Sequence, residues 1–173
     1  MGYENNTFPL TSGTAFNRYG TVETQAGLAS GGELHGTGGS VSEAVIYVDH
    51  TDFTVAAGVG SFATRYILPI GSIPREAWFE VTEAFTQTGG TTSTTLNVGT
   101  SGSAATNGFS ISDAATSLAV VTGEVDTSGA GTWASNAPLA AATTIGVSVT
   151  TGGGTMTAIG AGKAKIIVRY TKA

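Results

Sequence analysis

Cysteine is absent from the 173 residues. Disulfides and thiolate metal sites are thereby excluded, which fits synthesis in a reducing cytoplasm. Charge is also scarce. Asp, Glu, Lys and Arg together make up 11% of the chain, roughly half the usual share of about 25%. Seven residues are basic and 12 acidic, for a net charge of −5. General binding to a phosphate backbone needs a basic field, so no nucleic-acid partner is expected. No apolar run approaches the roughly 18 residues of a membrane helix, so no membrane partner is expected either. The opening residues, MGYENNTFPL, carry neither the basic region nor the apolar stretch of a secretory signal. The expectation is a soluble chain made without an export signal.

Small and hydroxylic residues take the place of charge. There are 26 glycines, about twice the average frequency of roughly 7%, among many Ser, Thr and Ala. Hydrophobic content of 40% is enough for a core. The resulting surface is polar but nearly neutral. It lacks the Lys and Glu that keep ordinary soluble proteins apart, and a chain of this kind is expected to spend its life assembled.

Residues 1–41 show no sustained period. They read as an extended arm with apolar anchors at Phe8, Phe16, Tyr19 and Leu28, the alternative being a disordered tail. From residue 42 the pattern is β. SEAVIYVDH, DFTVAA, FATRYILPI, EAWFEVTEAF, TTLNVGT, SLAVVTG, TIGVSVTT, TMTAIGAG and KAKIIVRYTK read as strands, separated by Gly, Ser, Asn and Thr clusters about every 8 to 12 residues. Alternation places Ala77, Phe79 and Val81 on one face, Leu96 and Val98 inward, and Ile145, Val147 and Val149 together. It sets Ala164, Ile166, Val168 and Tyr170 against Lys163, Lys165, Ile167, Arg169 and Thr171. These basic residues suit a solvated strand face or lysine protection of a sheet edge. The ISDAATSLAV segment has a weak pattern for a helical turn. The fold expected is an all-β antiparallel sandwich or jelly roll over residues 42–173, with an extended N-terminal arm over 1–41.

Catalytic and cofactor motifs fail one by one. His50 lies between Asp49 and Asp52, which suits either a divalent cation or an Asp-rich turn accepting backbone N–H groups. No G-x-S-x-G nucleophile turn occurs. Glu76 and Glu80 share a strand face at roughly 13 Å, too far apart for a retaining glycosidase pair. GVGSFA, residues 58–63, has the spacing of a dinucleotide loop but leads into a strand instead of a helix. GAGKAK, residues 160–165, lacks the upstream glycine and the Ser/Thr of a phosphate loop. No catalytic residue, cofactor or metal site is therefore assigned. Trp78, Trp133 and Tyr66 are candidate sugar platforms. Trp133 sits in the loop-like SGAGTWASNAPL, where it could plug into a neighbouring subunit, meet a ligand, or fold back over the end of the barrel.

The stretch ILPIGSIPREAWFEVTEAFTQTGGTTSTTLNVGTSGSAATNGF resembles small virion structural proteins of tailed bacteriophages. The shared pattern is a proline- or glycine-marked turn, then Val81-Thr82-Glu83-Ala84-Phe85, Leu96-Asn97-Val98-Gly99-Thr100 and Asn107-Gly108-Phe109. It continues in TIGVSVTTGGGTMTA and GKAKIIVRY, so the resemblance spans roughly residues 62–173. The turn SIPREAWFEV is bulkier and more charged than the glycine-led form usual there. The resemblance implies a jelly-roll head decoration (cement) protein. Its partners would be the major capsid protein and itself, as a homotrimer. It would be non-enzymatic, made in the host cytoplasm and located on the capsid surface of the virion. The contact residues expected are Phe8, Phe16, Arg18, Tyr19 and Leu28 in the arm, with Arg65 and Trp133. A carbohydrate- or receptor-binding sandwich and a tail or connector component are the alternatives.

Overall fold

The computed structural model describes residues 33–34, 41–90, 92–134 and 136–172. Eleven strands and two short 3₁₀ turns lie among them, with no α-helix. In chain order the strands are β1 (Glu33–Leu34), β2 (Val41–Asp49), β3 (Thr54–Ala56), β4 (Val59–Leu68), β5 (Ile73–Thr88), β6 (Ser93–Thr100), β7 (Gly108–Asp113), β8 (Ser117–Leu118), β9 (Val121–Asp126), β10 (Thr143–Gly152) and β11 (Ala158–Thr171). Every pairing is antiparallel.

One sheet, sheet A, has the order β1-β2-β11-β5, with both β8 and β9 on the far side of β5. The other, sheet B, has the order β3-β4-β10-β6-β7. The strands β8 and β9 act as a single bulged edge strand. Phe85 pairs with Leu118 and Ala77 with Asp126 in one register, while Glu80–Thr122 and Val81–Val121 between them are offset by one residue, with a shift between Phe79 and Glu80. The residue left over is Gly123, whose φ of 79° suits glycine in such a bulge. Counted this way, β2-β11-β5-β9 faces β4-β10-β6-β7. Successive strands of these eight switch between sheets except at the β6–β7 hairpin, which is the winding of a jelly roll.

The alternation read from the sequence sets the core. Ala77, Phe79, Val81, Ala164, Ile166, Val168 and Tyr170 of sheet A meet Leu96, Val98, Phe109, Ile111, Ile145, Val147 and Val149 of sheet B, all buried. Each apolar residue removed from water contributes favourably in proportion to its area, about 25 cal/mol per Å². A one-residue slip would turn the whole set outward, so the core also fixes the register.

Several elements differ from the sequence expectation. The AIGAG end of TMTAIGAG joins KAKIIVRYT in one strand, β11, which runs on through register shifts at Ile159–Ala161 and Ala161–Lys163. The ISDAATSLAV segment is no helix: β7 occupies its start and β8 follows. Strand β5 starts earlier than expected and includes Pro74. The missing N–H of Pro74 is tolerated because β9 reaches only as far as Ala77. The basic residues of β11 protect no edge, since β2 and β5 flank that strand on both sides. Within the stretch read as an arm, Glu33 and Leu34 pair with Ala44 and Glu43 of β2.

Candidate functional site

Of the motifs that carried the resemblance, Leu96–Thr100, Asn107–Phe109 and the start of TIGVSVTT meet at one corner of the sandwich. Gly99 faces Gly108 across β6 and β7, and Gly146 lies beside Gly99 on β10. All three present the outer face of sheet B. The turn at residues 101–107 folds onto that face: a Cβ on Gly146 would stand 2.7 Å from the Cα of Ser101, and one on Gly108 would strike the carbonyl of Val98. The row is glycine because backbone lies directly on backbone. Asn107 accepts the Thr132 N–H at Oδ1, 3.4 Å away, and so holds the 3₁₀ turn Gly131–Trp133. The Phe109 ring meets the Trp133 ring edge-on at 5.6 Å.

Trp133 is consequently 2% exposed and part of the core. Of its three expected fates, it folds back over the end of the sandwich. Its ring is spent inside the chain and stands at no loop tip. Its indole N–H has no partner among the described residues. Phe8, Phe16, Arg18, Tyr19 and Leu28 lie outside the described residues.

Arg65 is exposed on the outer face of β4, in line with Ser61, Ala63 and Ile67. Its guanidinium lies 5.5 Å from the centre of the Tyr66 ring and makes no ion pair among the described residues. Ile67 is 59% exposed, and Ile70, in the turn that follows, is 69% exposed. That turn is pinned to the 136–140 segment by Gly71 N–H to Leu139 O and Leu139 N–H to Ser72 O, both 2.8 Å. Val41, at the start of β2, is also exposed and belongs to the same end of the sandwich, where Thr171 pairs with both Val41 and Ile73. Beside the β4 strip, a trough of about 470 Å³ separates β4 from the 101–106 turn. Its lining, which includes Ser61, Ala63, Ala104, Gly146 and Ser148, carries no charge. The buried Ser148 hydroxyl has no partner among the described residues.

The outer face of sheet A is different in kind. An apolar row, Val45–Ile167–Trp78–Val125, crosses it from β2 to β9. On one side Arg169 donates from Nε to Glu43 and from Nη1 to Glu76, both at 2.7 Å. Its hydrogen bonds to Glu76 first, then to Glu43, hold the guanidinium above its ordinary pKa. On the other side Lys165 lies 5.6 Å over the Trp78 ring. Lys163 stands 3.5 Å from Glu83 and 4.0 Å from Asp49. Tyr47, next to this row, is 75% exposed.

The carboxylates around His50 are used by the backbone. Asp49 Oδ1 accepts the Thr51 N–H at 3.0 Å, and Asp52 Oδ2 accepts the Asp49 N–H at 2.9 Å, a reciprocal pair that caps the N-terminal end of the 3₁₀ turn His50–Asp52. The Thr51 backbone bond is the main cause of the lowered pKa of Asp49, followed by the Thr51 hydroxyl. This is the Asp-rich turn of the two readings. Among the described residues no three His, Cys, Asp or Glu side chains are grouped as metal ligands. Asp126 ties the two sheets together at their open edge. It accepts the Ser110 N–H of β7 at 2.8 Å and the Ser128 N–H and hydroxyl at 2.8 and 2.6 Å. Burial alone would raise its pKa, but the bonds from Ser128, Ser110 and Gly129 outweigh that and lower it.

Of the expected sugar platforms, Trp133 is internal, Trp78 lies under Lys165, and Tyr66 packs against the core. Among the described residues the exposed ring is Tyr47, which sequence reasoning missed. The signal was present: in SEAVIYVDH the buried set Ala44, Ile46 and Val48 leaves Val45 and Tyr47 on the opposite face.

No family model matches the chain, and no curated protein does. Among solved structures it is similar to a chain of the cyanophage Pam1 capsid asymmetric unit, at 21% identity and a TM-score of 0.48, covering 80% of this chain and 89% of that one. It is also similar to a chain of the capsid of Ralstonia phage GP4, at 23% identity and a TM-score of 0.41, covering 78% and 86%. At these identities and scores the likenesses carry no function to this chain by themselves. Among the described residues no helix is long and apolar enough to cross a membrane.

Proposed function

We propose that the protein is a phage capsid decoration, or cement, protein. It binds the outer surface of the shell formed by the major capsid protein and stabilises the head as a homotrimer. The observation that carries this reading is the strip of Arg65, Ile67 and Ile70: an unpaired guanidinium beside two exposed isoleucines, next to an uncharged trough with a buried, unpartnered hydroxyl. Such a surface offers an apolar contact and a charge for a shell carboxylate. The sequence resemblance supports the same reading.

The mechanism is mechanical. Packed DNA pushes the shell outward, and a trimer gripping several subunits raises the cost of separating them. Linked weak contacts act at high effective concentration, so affinity multiplies without new chemistry. Residues 1–41, with Phe8, Phe16, Arg18, Tyr19 and Leu28, are the strap in this reading.

The test is cosedimentation with heads assembled without this protein. Wild type should bind saturably. Arg65→Glu with Ile70→Asp should bind at least about tenfold more weakly, with unchanged melting, because both sites are exposed. A chain beginning at Val41 should keep its fold and bind more weakly than the full chain. Equal binding by the double variant overturns the assignment of the strip. Light scattering should give three times the chain mass of 17.2 kDa, and a single-chain mass overturns the trimer.

A further inference from the structure

The outer face of sheet A holds an open depression of about 630 Å³, whose lining includes Tyr47, Asp49, Asp52, Glu80, Lys163 and Lys165. We infer that this depression is a binding site for a neutral carbohydrate, with Tyr47 as its stacking platform.

Register gives the layout. Tyr47, Lys165 and Glu80 form one row across β2, β11 and β5. Asp49, Lys163 and Glu83 form the next row. Two strand spacings make the patch about 10 Å wide, the reach of one or two sugar rings. Tyr47 is a large ring, 75% exposed, on a strand whose alternate residues are buried. A flat ring left in water beside polar groups suits the C–H face of a pyranose, with its phenol available as a hydrogen-bonding handle.

The polar groups fit the same class of ligand. Neither Glu80 nor Lys165 makes an ion pair among the described residues: Lys165 rests on the Trp78 ring, and Glu80 faces the depression. A carboxylate that accepts and an ammonium that donates, in one row beside the platform, match hydroxyls that do both. Three carboxylates against two ammonium groups disfavour a polyanion such as nucleic acid or a phosphorylated polymer. The lysines in turn disfavour a bare cation. A neutral polyol is what remains.

This site lies on the opposite sheet from the Arg65 strip, so a domain seated on a shell through sheet B would turn it toward solvent. It therefore stands or falls separately from the shell-binding reading.

The test is a ¹⁵N–¹H NMR titration of the full chain with the methyl glycosides of glucose, galactose, N-acetylglucosamine and rhamnose, and with maltose and cellobiose. At least one should give saturable shifts at the amides of Tyr47, Val48, Glu80 and Lys165. Tyr47→Ala should weaken that binding roughly threefold to tenfold, while Tyr47→Phe keeps most of it. Glu80→Gln should weaken it as well. Melting of the Tyr47 variants should match wild type, since the ring is exposed. No saturable shift with any of the six sugars, shifts centred elsewhere, or full binding by Tyr47→Ala would each overturn the inference.

Discussion

Replacing Trp133 by alanine separates a core residue from a contact residue. The ring is 2% exposed and meets Phe109 edge-on at 5.6 Å. Truncating a buried Trp removes its transfer energy and leaves a cavity, together about 3–5 kcal/mol. For a chain of this size each kcal/mol is worth roughly 2–4 °C in Tm, so Trp133→Ala should melt on the order of 10–15 °C lower. Trp133→Phe gives a sharper comparison. It keeps a ring against Phe109 and removes an indole N–H that has no partner among the described residues. The relief of that donor, about 1–3 kcal/mol, offsets part of the lost area, so the phenylalanine variant should fall well short of the alanine loss. Melting followed by circular dichroism at two protein concentrations is the assay. If Trp133 were a subunit plug, its loss would matter only through assembly and the effect would depend on concentration. A Trp133→Ala Tm within about a degree of wild type, or a loss that appears only through a change in oligomeric state, would refute the internal placement.

Gly108→Ala drives a Cβ into the Val98 carbonyl and should cost about 1–3 kcal/mol, read from urea midpoints, with loss of amide protection in the 101–107 turn. Asp126 has a lowered pKa, so its contribution is present above the ordinary carboxylate value of 3.8 and is lost as the pH falls through its lower folded value. Wild-type stability should therefore drop below about pH 4, and Asp126→Asn should flatten that acid limb while lowering stability at pH 7. Arg169→Ala breaks a partly exposed charge triad with Glu43 and Glu76. It should cost about 1 kcal/mol or less, shrinking as salt is added; a salt-independent loss would contradict its placement at the surface.

Alternation made much of the fold legible. The inward sets of β5, β6, β10 and β11 read directly from sequence because one face is buried and the period is two. What escaped was irregular. The unity of β11 was hidden by Gly160 and Gly162, which look like a strand end but lie within register shifts. Strand β7 was hidden because its Gly-Phe-Ser-Ile-Ser-Asp run is short and follows a glycine-rich turn. Trp133 was undecided because its loop has no period, and the partner that buries it, Phe109, lies 24 residues away in sequence but beside it in space. The Arg65 strip was only half visible: the charge could be picked out, but its alignment with Ile67 and Ile70 needed the turn. The platform at Tyr47 was readable from alternation alone.

The most direct measurement is electron microscopy of heads assembled without this protein and then incubated with it. The account predicts ordered extra density on the outside of the shell, at threefold-related positions, with sheet B toward the shell and sheet A toward solvent. It also predicts that decorated heads survive heating that bursts bare ones. Density on a tail or connector, or heads that remain bare in saturating protein, would contradict it.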